Sequence, residues 1–382
     1  MLTTTGDRCG IAAYTSSLIE SLSSLVDLEI VPIQPGQHDI ATYQAQANRL
    51  NSCDVIHIQH EHSFWGGILP GKSAFWNLRY LLTKPVVTTA HTTTSLEALF
   101  KLKEERRLPH KIAKQLLVMR KRYRDSVETA PFITGRCIVH TDEAKIELCD
   151  RGANPKYVHV LPAGIPMSPL KGNPERFRTR FHCGDSVLIT LFGFVAVNKG
   201  YELVIKALPL LPDNVRFVIA GGVRTDADQS YLESLLDIVN NPGMNDRVII
   251  TGYLDEQELA DAMAASEIVL APHTFATGSY SVTVPIGFGK PLVASNLACF
   301  TELRKRGANI AVFANKDASA LGKSINLLLS NSELRSSMSV TNKQFAIDNN
   351  WDAVATKTIA VYEEAILDED RLRHHAPVSV HK

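Results

Sequence analysis

Val187–Glu202 reads VLITLFGFVAVNKGYE. Its first six residues, Val187–Phe192, are apolar or β-branched throughout. A run of that length bounded by glycine suits a strand buried on both faces. Gly193 ends it, and Asn198-Lys199-Gly200-Tyr201-Glu202 opens a helix over Tyr201–Leu208. A strand passing through a glycine-containing loop into a helix begins a βαβ unit, the building block of parallel sheets. Lys199 stands where the helix dipole disfavours a cation. A lysine there suits an anionic ligand such as a diphosphate, shared with the free N–H groups of the helix start.

The same alternation extends to both sides. After Val187–Phe192, strands are expected at Arg216–Ala220, Arg247–Gly252, Glu267–Ala271, Pro291–Ser295 and Asn309–Phe313, with helices at Gln229–Val239 and Glu256–Ala265. Before it, strands are expected at Leu28–Ile33, Val55–Gln59, Val86–Ala90, Cys137–Thr141 and Tyr157–Pro162. Helices are expected at Ile11–Leu25 and His110–Thr129. In the latter Ile112, Leu116, Met119, Tyr123 and Val127 share one face. The fold class is α/β, with two doubly wound, Rossmann-like domains facing a cleft. Gly164, Pro166, Pro169, Gly172, Pro174 and Gly184 form the densest Pro/Gly stretch, which reads as a linker. Residues 1–165 then make the N-terminal Rossmann-like domain, 166–184 the linker and 185–350 the C-terminal Rossmann-like domain. A helix over 351–368 is expected to pack back on the N-terminal domain, ahead of a disordered tail, 369–382.

Composition narrows the function. The chain has 382 residues, 45% hydrophobic and 21% charged, with 40 Lys and Arg against 40 Asp and Glu. Zero net charge argues against nucleic acid as the main partner. Cys9, Cys53, Cys137, Cys149, Cys183 and Cys299 form no CxxC pair and no zinc spacing, as expected of reduced thiols in a cytoplasmic protein. Met1–Arg8 lacks an apolar signal core, and no run approaches the roughly 18 apolar residues of a membrane span. Between Lys101 and Arg124 ten Lys and Arg face only Glu104 and Glu105. A basic amphipathic helix of that kind fits either a solvated face or peripheral contact with an anionic membrane.

In open α/β sheets ligands sit beyond the carboxyl ends of strands, so residues there are the first candidates. Gly6–Thr15 (GDRCGIAAYT) opens a helix, and Gly10 would let the backbone approach an anion. His57–His62 (HIQHEH) offers metal-ligand types, but no further ligand follows at helical spacing. His60, Glu61 and His62 are therefore read as polar lining, with alternation placing His60 and His62 on one side. Val86–Ala90 runs directly into His91, well placed for ligand contact. Gly278-Ser279-Tyr280-Ser281-Val282-Thr283 opens a helix and reads equally as a phosphate nest or as ordinary capping. A nicotinamide-dependent oxidoreductase would need a GxGxxG after a strand, which is missing.

These pieces, in this order, resemble the retaining GT-B glycosyltransferases of the family 4 type over nearly the whole chain. Cys9–Thr15 is similar to that family's loop beneath the donor phosphates. His57–Gly67 (HIQHEHSFWGG) and Val86–Thr93 (VVTTAHTT) resemble a bacterial, mannosyltransferase-like branch. Gly193–Gly200 (GFVAVNKG), Ala220–Gly222, Thr251–Leu254 (TGYL), Ala271–His273 and Gly289–Ser295 (GKPLVAS) fall in the family's order. The resemblance implies catalytic roles for His91, at the donor sugar, and Lys199, at the diphosphate leaving group. It implies donor contacts from Gly10, Phe194, Gly252, Tyr253, Leu254, Gly278, Ser279, Tyr280, Ser281 and Thr283. It implies no metal and no cofactor, with a nucleotide-diphosphate sugar as donor substrate.

Three departures matter, one being that the chain begins very close to the first motif, so that a short first strand is expected. The family's two glutamates align with Ala276 and Val284, and its arginine near the phosphates aligns with Phe194. Losing a guanidinium removes a bidentate phosphate contact. The expected function is metal-independent, retaining transfer of a sugar to a saccharide or lipid-linked acceptor, at the inner membrane face if the basic segment binds lipid. The alternative is a non-catalytic glycosyltransferase-like subunit that binds a nucleotide sugar or a partner enzyme.

Overall fold

The computed structural model describes residues 1–5, 10–33, 36, 38–65, 74–93, 135–150, 152–168, 170–223, 226–241, 243–276 and 280–375. The basic segment 101–124, the helix expected over His110–Thr129, and Gly278 and Ser279 lie outside the described residues. The chain forms two compact units, Met1–Ala163 with Trp351–Lys382, and Gly164–Asn350.

The first unit carries strands β1 (Leu2–Thr3), β2 (Val31–Pro32), β3 (Ile56–His60), β4 (Val86–Ala90), β5 (Arg136–Val139) and β6 (Val158–Val160). They form one parallel sheet in the order β2-β1-β3-β4-β5-β6. β3 and β4 run in register from Ile56 beside Val86 to His60 beside Ala90, and both strands are buried throughout. One core gathers Leu2, Val31, Ile56, Ile58, Trp65 and Phe75. The C-terminal helix, Trp351–His375, runs past the expected end at Asp368. Trp351, Val354 and Ala355 pack with Tyr14, Leu18 and Leu22 of helix Gly10–Leu22. Val361, Tyr362 and Ala365 pack on Val87 and Ile138. Arg136, 5% exposed, reaches Glu364 and Asp368 of the same helix, the latter at 2.7 Å.

The second unit carries β7 (Val187–Phe192), β8 (Val215–Ala220), β9 (Val248–Ile250), β10 (Ile268–Ala271), β11 (Leu292–Ser295) and β12 (Ile310–Phe313). They too are parallel, in the order β12-β11-β10-β7-β8-β9. This is the Rossmann order, with its switch point between β7 and β10. Helix Glu256–Ala265 begins with a capping box, Asp255 accepting from Glu258 N while the Glu258 side chain accepts from Asp255 N.

The stretch read as a linker, 166–184, is built into this unit. Asn173 caps helix Pro174–Arg180, with Pro174 at its first position. Asn173 N donates to Asp261 Oδ1 at 2.7 Å, and Arg176 Nη2 to the same oxygen at 2.7 Å. The Arg176 guanidinium lowers the Asp261 carboxyl to about 2. A Cβ on Gly172 would sit 2.0 Å from Ala260 O. Pro174 and Gly172 are thus a helix-start residue and a close-packing residue.

Candidate functional site

Two groups of residues stand at carboxyl strand ends, one in each unit. In the first, β3, β4 and β5 end at His60, Ala90 and Val139, and His91 and His140 directly follow the last two. His91 Nε2 lies 2.7 Å from Gln59 Oε1, and His91 Nδ1 lies 3.3 Å from His140 Nε2. His140 Nδ1 faces Leu161 O at 2.9 Å. Gln59 Nε2 is 3.3 Å from His57 Nε2, which also lies 2.7 Å from Thr89 Oγ1. His57 Nδ1 meets the Tyr362 hydroxyl at 2.6 Å. Tyr14 wraps the centre, its ring 4.9 Å from that of His91 and 5.1 Å from that of His140. Tyr14 belongs to the helix that Gly10 opens, so the first motif and His91 come together.

Burial sets the electrostatics here. Desolvation, with the Met1 ammonium nearby, pushes His57 down to about 3. Burial, then His140, His57 and His60, takes His91 well below the usual imidazole range. Burial also lowers His140, opposed by its bond to Leu161 O. All three are therefore neutral at pH 7.

His60 is 3% exposed, its ring stacked 6.2 Å from Trp65 and edge-on to Phe75 at 5.3 Å. It belongs to the aromatic core. Alternation does not carry on to His62, because β3 ends at His60 and the chain turns into a 3-10 helix over His62–Trp65. Glu61 accepts a hydrogen bond from the Thr92 hydroxyl, one residue beyond His91. Among the described residues no group of three His, Cys, Asp or Glu gathers as metal ligands.

In the second unit the loops at the carboxyl ends of β7, β8, β9 and β10 are locked together by glycines and main-chain bonds. Gly193 N donates to Ala220 O and Val195 N to Gly222 O. A Cβ on Gly221 would meet Gly193 O at 2.2 Å, and one on Gly222 would meet Tyr253 N at 3.0 Å. Val197–Lys199 is a 3-10 turn fastened to the loop after β10, with Thr274 N donating to Asn198 O at 2.8 Å and Asn198 Nδ2 to Phe275 O at 3.0 Å. Gly200 follows at φ 79°, and a Cβ there would meet Pro272 O at 2.2 Å. Lys199 Nζ donates to Phe192 O at 3.3 Å, at the switch point. Its charge reaches His273, whose imidazole falls to about 3 through burial first and Lys199 second.

The remaining candidates divide. Tyr253 is 73% exposed and Phe194 is 38% exposed, both just beyond strand ends. Gly252 takes φ 71° ahead of Tyr253. Leu254 instead belongs to the core with Phe177, Leu188 and Val218. Thr283 and Val284 are buried on helix Tyr280–Gly287, and the backbone of Tyr280 and Ser281 opens that helix. A Cβ on Gly10 would meet none of the described residues within 4 Å. Tyr14, His57 and Gln59 lie inside the quoted motifs without being singled out there, and His140 and Tyr362 escape the motif reading. His140 carries a usable signal, since it follows β5 as His91 follows β4.

Residues 24–168 match the model of the family described as Glycosyltransferase Family 4, and residues 175–345 that described as Glycosyl transferases group 1. The D-inositol 3-phosphate glycosyltransferase of Xylanimonas cellulosilytica is 26% identical over 56% of this chain and 53% of that protein. The GDP-mannose-dependent alpha-(1-6)-phosphatidylinositol monomannoside mannosyltransferase of Mycolicibacterium smegmatis is 25% identical over 50% of this chain and 51% of its own. The chain thus spans about half the length of the curated relatives it matches. The crystal structure of Anabaena HepE in complex with UDP shares the fold, with a TM-score of 0.72 at 14% identity over 95% of this chain and 98% of that one. With its two halves matched by two glycosyltransferase models and its fold shared from end to end, the chain belongs to the GT-B glycosyltransferases of the family 4 type.

Proposed function

We propose that the chain moves a sugar from a nucleotide-diphosphate sugar to a saccharide or lipid-linked acceptor, with retention and without a dedicated metal. The observation that carries this reading is the locked nest at the β7/β10 switch point, where Lys199 stands among glycine loops with Tyr253 and Phe194 exposed nearby. Packed backbone and a fixed cation suit a diphosphate. In the reaction the bond from the anomeric carbon to the diphosphate oxygen breaks. The acceptor oxygen bonds to that carbon on the same face, and its proton passes to the departing phosphate. Lys199 offsets the charge gathering on the leaving group. His91, which directly follows β4, is assigned to the donor sugar by its place in the motif.

UDP, held by the fold neighbour, and GDP, in the name of the Mycolicibacterium relative, are the first bases to test. A thermal-shift screen of UDP, GDP, ADP and CMP with their sugar conjugates, each without and with magnesium, tests the proposal. A ligand at a hundred times its dissociation constant stabilises the fold by about 2.7 kcal/mol. A shift with one diphosphate family that needs no magnesium supports the reading; no shift at millimolar ligand contradicts it.

A second reading, a non-catalytic subunit, is favoured by Val284. It is 4% exposed, with an apolar side chain where the family has a carboxylate. Sugar release from the donor that drops in Lys199→Ala excludes this reading; its absence in the native chain favours it. Among the described residues no helix is long and apolar enough to cross a membrane.

A further inference from the structure

The histidine cluster of the first unit has an internal order that can be worked out from one fixed end. Leu161 O is a carbonyl and can only accept, so His140 Nδ1, 2.9 Å away, must carry a hydrogen. A neutral His140 then presents a lone pair at Nε2, and His91 Nδ1, 3.3 Å off, must donate to it. A neutral His91 is left with a lone pair at Nε2, facing the Gln59 amide at 2.7 Å. If Gln59 Oε1 occupied that place, two neutral rings would have to supply three hydrogens to a chain with an acceptor at each end. Turning the amide end for end removes the conflict, because its NH2 then donates to His91.

The order continues outward. The turned amide sets its oxygen 3.3 Å from His57 Nε2, which carries the hydrogen and also donates to Thr89 Oγ1 at 2.7 Å. His57 Nδ1 is then an acceptor, and the Tyr362 hydroxyl, 2.6 Å away, donates to it. Each contact from Leu161 to Tyr362 then has a hydrogen with every imidazole neutral, the His57 Nε2 hydrogen being shared between Thr89 and Gln59; the turn gives up the 3.7 Å contact of the Gln59 NH2 with Met1 Sδ, a weak acceptor. Burial favours neutral rings here, lowering His57, His91 and His140 alike.

We propose that Gln59 and His140 are positioning residues for His91: the Leu161 carbonyl, acting through His140, holds His91 as its Nδ1–H tautomer, with its Nε2 lone pair accepting from the Gln59 amide. A ring with both nitrogens engaged has one orientation, and its tautomer is set by the partner at the far nitrogen. That this order serves catalysis rests on the sugar-transfer reading above; the hydrogen-bond order itself does not.

The test is nitrogen NMR of the full chain labelled at histidine, at pH 7, where protonated and bare ring nitrogens resonate far apart. Signals are assigned by their loss in His91→Asn and His140→Phe. The expected result is a single His91 tautomer with hydrogen on Nδ1. In folded His140→Phe the link to Leu161 is gone, so hydrogen should appear on both His91 nitrogens in exchange. In Tyr362→Phe, at the far end, His91 should stay as it is. Hydrogen on Nε2 of native His91, a doubly protonated ring, or a His91 unmoved in His140→Phe would each overturn the proposal. If the variants fail to fold, neutron diffraction of the native chain reads the same hydrogens directly. With the donor found by the thermal-shift screen, His140→Phe should lower turnover by at least about tenfold with little change in donor KM, since a wrong tautomer is costly to catalysis. Unchanged turnover overturns the catalytic role. Absence of any transfer by the native chain counts against the glycosyltransferase reading, and the NMR result still decides the order.

Discussion

The Tyr362 hydroxyl lies 2.6 Å from His57 Nδ1, tying the C-terminal helix to β3 across 305 positions of sequence. Both side chains are buried, and burial raises the Tyr362 phenol well above its ordinary range. The hydroxyl is therefore a donor at any physiological pH, and the helix is a structural member of the first unit.

Removing residues 351–382 should accordingly unfold that unit. The deletion strips away Trp351, Val354, Val361 and Tyr362, each 8% exposed or less. At about 1.5–3 kcal/mol for each large apolar side chain, the loss rivals the roughly 5–15 kcal/mol stability of a typical domain. Hydrogen exchange should show β3 and β4 unprotected while β7 and β8 keep their protection. Retained protection in β3 would refute the argument.

Acid should destabilise the chain earlier than carboxylate titration alone would. His57 and His273 are held neutral, with folded values of about 3 against 6.5 when unfolded. A histidine with a lowered folded value contributes stability above its unfolded value and loses it as pH falls toward the folded one. The window is therefore pH 6.5 down to 3, and each such ring costs about 2 kcal/mol by pH 5. Urea midpoints at pH 7 and pH 5 measure this, and His57→Gln should flatten the slope by one proton.

Gly200 and Gly10 should respond oppositely to alanine. Gly200 has φ 79°, and a methyl added there would stand only 2.2 Å from Pro272 O, whereas one on Gly10 meets none of the described residues within 4 Å. Gly200→Ala should cost more than about 1 kcal/mol, since the left-handed backbone and the contact both penalise it. Gly10→Ala should leave the melting temperature within a degree or two and weaken donor binding if the backbone there meets the diphosphate. Calorimetry with donor titration separates the two effects.

Lys199→Ala should leave the fold intact, because the turn is held chiefly by Asn198 and Gly200, with the Lys199 Nζ bond to Phe192 O at 3.3 Å one contact among several. Turnover should fall by roughly a hundred- to a thousandfold, the usual cost of removing one preorganised electrostatic group. Nucleotide release measured against native protein of equal melting temperature checks this. A loss under tenfold would remove Lys199 from the charge-stabilising role.

Much of the sheet architecture is legible in the sequence because buried parallel strands are written as apolar runs. Val86–Ala90 and Val187–Phe192 fall where their composition puts them, and Glu256–Ala265 is announced by Asp255 and Glu258. Pro174 and Gly172 mislead, because proline at a helix start and glycine under a neighbouring carbonyl look like linker residues until their partners are known. His60 reads as lining although its ring lies among Trp65 and Phe75, which local alternation does not reveal. His57 and Tyr362 find each other only in three dimensions, since no local pattern couples positions so far apart.

The first unit is made from two pieces of chain, with the whole of Gly164–Asn350 between them. On the ribosome, at roughly 5–20 residues per second, the early piece emerges some ten to forty seconds before the helix that completes its core. The second unit is contiguous and has no such wait. Nascent chains should therefore acquire protease resistance in the order second unit, then first, and during that interval the face that Trp351 and Tyr362 later cover is exposed to chaperones.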